Sequence, residues 1–211
     1  MSLTSYTKWD YLLPPRPEKA VPPSSLDFYE KNGWAGQIKK NGSCTVLGIS
    51  PEKIIHSWNR HSEEHRAWKA DWKNPAMLPF LELPEKWFVF EPELLHNKVK
   101  DLRDTLYLFD ILVADSEFLL GTTWPERQAL IHSLFPNTIP GGLGYILVPG
   151  SNLWIAEPIH EFRKVFDSLD QDEDEGIVLK DQSAKMTFCL RESSNSFWQV
   201  KCRKSKKNIC F

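Results

Sequence analysis

The chain has no apolar run approaching membrane-spanning length, and Lys8, Trp9 and Asp10 stand where a secretory signal would be apolar. Nothing in the sequence directs it to a membrane. Its four cysteines, Cys44, Cys189, Cys202 and Cys210, form no C-x-x-C pair, and His61 and His65 have no cysteine partners at zinc spacing. That pattern argues for reduced thiols in a cytosolic-type compartment. Glycine is scarce, with 10 residues, and although Gly141, Gly142 and Gly144 lie close together, there is no G-x-x-x-x-G-K-(S/T). The three read as a turn, not a phosphate loop. Neither charge is in excess: 26 basic side chains against 28 acidic ones give a net charge of -2, so overall charge does not advertise nucleic-acid binding.

What is present is 211 residues, 41% hydrophobic and 26% charged, enough for one soluble domain with a sizeable core. Residues 1–30 read as an N-terminal arm, whose prolines between Pro14 and Pro23 favour an extended path packed on the domain. Residues 31–211 read as the domain itself. Leu26 to Asn32 is expected as a helical turn, and strands at 34–38, 44–48, 53–58, 87–90, 106–113, 145–148 and 176–179. An amphipathic surface helix is expected over 62–72, a Thr-capped helix from Thr122 to about Phe135, and another over 159–169. Asp170 to Glu175 reads as a solvated acidic loop. The C-terminus is a basic tail holding Lys201, Arg203, Lys204, Lys206 and Lys207, with no acid after Glu192.

The stretch that organises the chain is Gln37-Ile38-Lys39-Lys40-Asn41-Gly42-Ser43. An apolar strand runs into Asn41-Gly42, a dipeptide that turns hairpins because both residues tolerate positive φ. Lys39 then ends the strand, with Lys40 directed to the opposite face. A free lysine, of pKa near ~10.4, is only about one part in a thousand neutral at physiological pH. To act as a nucleophile it needs burial or neighbouring cations. Taken alone, Lys-Lys-Asn-Gly reads first as a solvated hairpin.

Four further segments follow in order: Phe90-Glu91-Pro92-Glu93-Leu94, Tyr107-Leu108-Phe109-Asp110-Ile111, Glu175-Gly176-Ile177-Val178-Leu179-Lys180 and Trp198-Gln199-Val200-Lys201-Cys202-Arg203. Together with Lys39-Lys40-Asn41-Gly42, they resemble the motifs of the covalent nucleotidyltransferases, the superfamily of ATP-dependent DNA ligases, RNA ligases and mRNA capping enzymes. The resemblance covers Trp34 to the C-terminus. It implies an α+β domain of two packed, largely antiparallel β-sheets flanked by helices, ATP-grasp-like, with nucleotide bound between the sheets. It also implies roles. Lys39 is the nucleophile that takes AMP from ATP, and Lys201 and Arg203, two apart on one strand face, hold the α-phosphate. Gln37 meets the base edge, Phe109 stacks on the purine, and Arg60 and Lys180 bind nucleotide or phosphate. Glu93 contacts ribose or metal, and Glu93 and Glu175 hold magnesium, with manganese as a substitute. The partner implied is nucleic acid, RNA or DNA ends or nicks, met by a monomer.

The sequence departs from the family in several places. Pro92 replaces the glycine of (D/E)-G-E-L, Ser62 replaces the glycine of (S/T)-R-x-G after Arg60, and Cys44 stands where DNA ligases carry the arginine of K-x-D-G-x-R. K-x-(D/N)-G-S is closer to RNA-ligase usage, which tilts the reading toward RNA or toward a small phage-type ligase acting in a host cytoplasm. The sequence ends ten residues after Lys201, so no OB-fold is expected. The alternatives are a minimal DNA ligase, a capping-type guanylyltransferase and a binding module that forms no covalent adduct.

Overall fold

The computed structural model describes residues 5–65, 68–96, 102–187 and 195–204. Its smaller sheet has four strands in the order β1 (Arg16–Ala20), β12 (Asn195–Arg203), β11 (Asp174–Asp181) and β2 (Trp34–Lys40). Alternation along these strands sorts their side chains. Ile38, Ile177, Leu179, Val200 and Cys202 are buried on one face against Leu26 of α1 (Leu26–Lys31) and Phe162, Val165 and Phe166 of α3 (Phe162–Ser168). The other face carries Gln37, Lys39, Val178, Lys180, Gln199, Lys201 and Arg203. With seven residues, α3 is too short to persist alone, so burial of its apolar side chains, each contributing about 1.5–3 kcal/mol, holds it in place. Glu30 of α1 caps it by accepting the Glu161 and Phe162 backbone N–H groups at 2.6 and 3.1 Å.

The larger sheet runs in the order β4 (Ile55–Asn59), β3 (Ser43–Ile49), β5 (Phe88–Leu95), β6 (Thr105–Ala114), β10 (Leu153–Ala156), β9 (Tyr145–Leu147) and β8 (Ile139–Gly142), with β7 (Glu117–Phe118) paired to β6. Leu47, Phe90, Leu106, Leu108 and Ile111 form its main core with Phe80 and with Ile131 of α2 (Trp124–Leu134). The Thr123–Glu126 capping box starts α2 as expected. Pairing is antiparallel except between β1 and β12 and between β6 and β10. Among the described residues there is no closed barrel, and no helix is long and apolar enough to cross a membrane.

Three expectations need correction. The described parts of 62–72 form no helix: Trp68 is buried in the main core, Glu64 bridges to Trp58, and Trp72 Nε1 donates to the Lys53 carbonyl at 3.0 Å. The four-residue spacing of the two tryptophans imitated a helical face. The expected 159–169 helix is confined to Phe162–Ser168, because Ile159 pairs with Gly36 as an extended bridge. Finally, neither Asn41 nor Gly42 takes a positive φ. Glycine is needed at 42 for space, since a Cβ there would lie 2.4 Å from Glu93 Cγ and 2.8 Å from the Leu94 carbonyl oxygen.

Candidate active site

The inner faces of the two sheets share a cavity of about 320 Å³. Gln37 and Lys39 enter from β2, and Lys201 and Arg203 from β12. Register between β2 and β11 shifts from Asp174–Lys40 to Gly176–Lys39, so Glu175 is left over as a bulge residue. Bulges re-aim side chains, and here Glu175 Oε2 lies 2.7 Å from Lys39 Nζ and 3.2 Å from Arg203 Nη2. Gly176 makes the bulge feasible: its φ is +145° and a Cβ would fall 2.0 Å from the Cys202 carbonyl oxygen. Lys40, expected on the opposite face, also borders the cavity, its ammonium held in a buried ion pair with Asp174 at 2.8 Å.

The opposite wall is also bulged. Glu91 pairs with Asp110 and Pro92 with Leu108, leaving Phe109 as the extra residue of β6 and directed to the cavity. Pro92, which cannot donate to a ladder, sits at this irregularity. Glu91, Glu93 and Cys44 line the same wall. Burial, then the Glu91 and Glu93 charges, push the Cys44 thiol up to about 12, so it is a neutral group, not a nucleophile. Lys201 is lowered, first by burial and then by the Arg203 and Lys39 charges.

Behind Phe109 lies a buried ionic cluster. Arg127 of α2 donates to both oxygens of Asp110, Nε at 2.7 Å and Nη2 at 3.1 Å, and Lys180 Nζ reaches Asp110 Oδ2 at 3.1 Å. The Lys180 ammonium also sits 5.5 Å from the Phe109 ring centroid, and Gln128 Nε2 donates to the Phe109 carbonyl at 3.1 Å. Lys180 thus lines the cavity while committed to Asp110, supporting the aromatic ring from within the fold.

Glu91 stands next to this cluster and is buried. Burial and then the Asp110 charge raise its pKa above the usual carboxylate range, against the lowering effect of Lys180 and Arg127. A raised carboxyl favours folding in its protonated form, so the stabilisation is present below the unfolded value and declines as pH rises through the folded one. Glu91→Gln is therefore expected to leave stability near wild type at pH 5 and to raise it at pH 8 by on the order of 1 kcal/mol or more. Urea unfolding at the two pH values measures this.

Arg60 follows β4 directly and lines the cavity, its Nε donating to His61 Nε2 at 3.1 Å. Ser62, two residues after Arg60, adopts φ +58°, a left-handed backbone conformation. Gln37 is buried, and its Nε2 has no hydrogen-bond partner among the described residues. An unmet buried donor costs about 1–3 kcal/mol, which an acceptor on a ligand would relieve.

No family model and no curated relative matches the sequence. Solved structures match in shape. The mycobacterial DNA ligase D complexed with ATP and MES aligns with a TM-score of 0.62 at 16% identity, over 90% of this chain and 60% of its own. The fold is that of the ATP-dependent ligase nucleotidyltransferase domain. A Lig E DNA ligase aligns at 0.55 and 10% identity, over 93% of this chain and 70% of its own, and the Chlorella virus DNA ligase-adenylate at 0.50 and 14%, over 90% and 67%. This chain thus spans about 60% of the length of the mycobacterial ligase D.

Within the ligase fold, Gln37, Lys39, Arg60, Glu93, Phe109, Lys180, Lys201 and Arg203 all border one cavity, with Glu175 joined through Lys39 and Arg203. Lys206 and Lys207, with Cys189 and Cys210, lie outside the described residues. Sequence reasoning missed Tyr11 and Arg16 of the arm and Glu91 and Tyr107 of the far wall, all of which line the cavity. Glu91 and Tyr107 were within reach, since each is two positions from a named site residue on the same strand.

The donor set for a divalent ion is of the right chemical kind. Glu93 and Glu175 offer hard oxygens, while no group of three or more acidic, histidine or cysteine side chains is preassembled among the described residues. Such a site fits magnesium bound by one or two carboxylates and completed by substrate phosphates and water.

Proposed function

We propose that this chain is the catalytic domain of an ATP-dependent polynucleotide ligase, joining 5′-phosphate to 3′-hydroxyl ends through a lysyl-AMP. The observation that carries the reading is the meeting of Lys39 with Glu175 at 2.7 Å at the edge of the cavity that holds Phe109, Gln37, Glu93 and Lys201. Phe109 offers a ring for the purine, and Gln37 an unmet donor for its edge. Lys201 and Arg203, which line the same cavity, would hold the α-phosphate. The preference for RNA ends rests on the Lys39-Lys40-Asn41-Gly42-Ser43 pattern and on Cys44.

An amine in an ion pair is not yet a nucleophile. Because Glu175 is shared with Arg203, Lys39 can leave it and shed a proton to solvent while the carboxylate keeps one cationic partner. The freed Nζ forms the N–P bond, the α–β bridging bond breaks, and pyrophosphate departs with the electron pair; the second Nζ proton goes to solvent. Magnesium held by Glu93 and Glu175 supplies positive charge for the phosphates when bound. The adenylate then passes to a strand 5′-phosphate, and a 3′-hydroxyl displaces AMP. Positioning and fixed charge in the cavity account for most of the acceleration.

The test is intact mass after incubation with magnesium and ATP. One added AMP per chain, absent when GTP replaces ATP or when EDTA is present, is the expected result. An adduct with GTP alone would favour a capping-type reaction, and no adduct with either would leave a nucleotide-binding module.

A further inference from the structure

We propose that Arg16, carried by the N-terminal arm, binds a phosphate of the substrate at the cavity rim. The inference rests on the ligase reading only for the identity of the phosphate. Arg16 lines the cavity beside Lys39, Arg60, Lys201 and Arg203. Lys39 and Arg203 are matched by Glu175, but the Arg16 side chain has no ion pair or hydrogen bond with a described residue, and the Lys201 side chain has no ion pair with one either. Uncompensated cations gathered at one rim call for an anion, and a guanidinium suits the geometry of phosphate oxygens.

The arm is held where this requires. β1 runs parallel to β12, with Ala20 opposite Lys201 and the Val21 N–H donating to the Lys201 carbonyl at 2.9 Å. Gln199 Nε2 donates to the Pro15 carbonyl at 3.3 Å, and Tyr11, also at the cavity, donates its hydroxyl to the Asn59 carbonyl at 3.1 Å. The arm therefore spans from the smaller sheet to the end of β4, next to Arg60. Prolines at 14, 15 and 17 flank Arg16 and restrict its backbone, which lowers the ordering cost of a contact from an edge strand. The Arg16 charge is felt at Cys44 of β3, at Lys201 of β12 and at Tyr11 of the arm itself.

Two sources offer this chemistry, the β- and γ-phosphates of ATP and the 5′-phosphate of a nucleic-acid strand. Binding measured by calorimetry separates them in the Lys39→Ala protein, where no covalent step intervenes, with and without Arg16→Ala or Arg16→Lys. If the nucleotide is the source, Arg16→Ala weakens ATP about tenfold or more and leaves AMP within twofold. If the strand is the source, the loss falls on a 5′-phosphorylated oligonucleotide and not on its 5′-hydroxyl counterpart. Arg16→Lys recovers part of the loss in either case. The proposal is overturned if every affinity stays within twofold, if losses do not depend on the phosphate, or if the parent binds none of these ligands. Adduct formation by the protein with its native Lys39 is read separately, so the ligase assignment and the role of Arg16 stand or fall independently.

Discussion

Lys39→Ala is expected to abolish the AMP adduct, lowering its rate of formation by at least about a thousandfold, as removal of a covalent nucleophile does elsewhere. Lys39→Arg should fail equally, although it keeps the positive charge beside Glu175. A guanidinium stays protonated at any accessible pH and has no free electron pair for phosphorus. The pair of variants separates nucleophilicity from charge. Stability should hardly change, because the Lys39–Glu175 pair is partly exposed, with the two side chains 20% and 30% accessible, and such pairs contribute about 1 kcal/mol or less. Arg203 remains to hold Glu175. For a chain of this length that limits the fall in Tm to about 2–4 °C. Loss of the adduct with an unchanged melting profile assigns the chemistry to Lys39; retention of the adduct in Lys39→Ala would remove the proposed mechanism.

Most of this site was legible in the sequence because its residues lie on strands, where alternation decides which side chains share a face. Gln37 with Lys39, and Lys201 with Arg203, are each two apart and face the cavity together. Phe109, read as the ring that meets the purine, enters the cavity, while its strand neighbour Asp110 is buried against Arg127. The bulges at Glu175 and Phe109 were not legible, since a bulge depends on the partner strand's register and not on local preference. Arg16 escaped for a related reason. Its strand pairs in parallel with β12 across nearly the whole chain, and no local pattern announces a partner so distant. The segment 62–72 misled because polar residues around two tryptophans imitate an amphipathic helix, while tertiary burial of Trp68 decided the backbone.

Asp110→Ala is expected to be the most damaging single change to stability, by about 3–5 kcal/mol, because it strands two buried cations at once. Arg127 and Lys180 are each about 1% exposed, and both lean on the Asp110 carboxylate. Burial alone would raise the Asp110 pKa, yet the Arg127 and Lys180 charges outweigh it and hold the group at about 2. A depressed carboxyl stabilises the fold above its unfolded value, near ~4, and loses that contribution as pH falls through the folded one. Urea unfolding should therefore show wild type weakening toward pH 2, and Asp110→Ala with a smaller dependence over the same range. Much of the loss belongs to unpaired charge, so Lys180→Met should cost less in the Asp110→Ala background than in wild type, with a coupling of about 1–3 kcal/mol. If the two losses simply add, the cluster does not act as a unit. The cluster also carries Phe109, whose carbonyl takes the Gln128 amide and whose ring lies over Lys180. Asp110→Ala protein that remains folded at low temperature should accordingly bind ATP more weakly, while Lys39 and Glu175, on the opposite sheet, keep their ion pair.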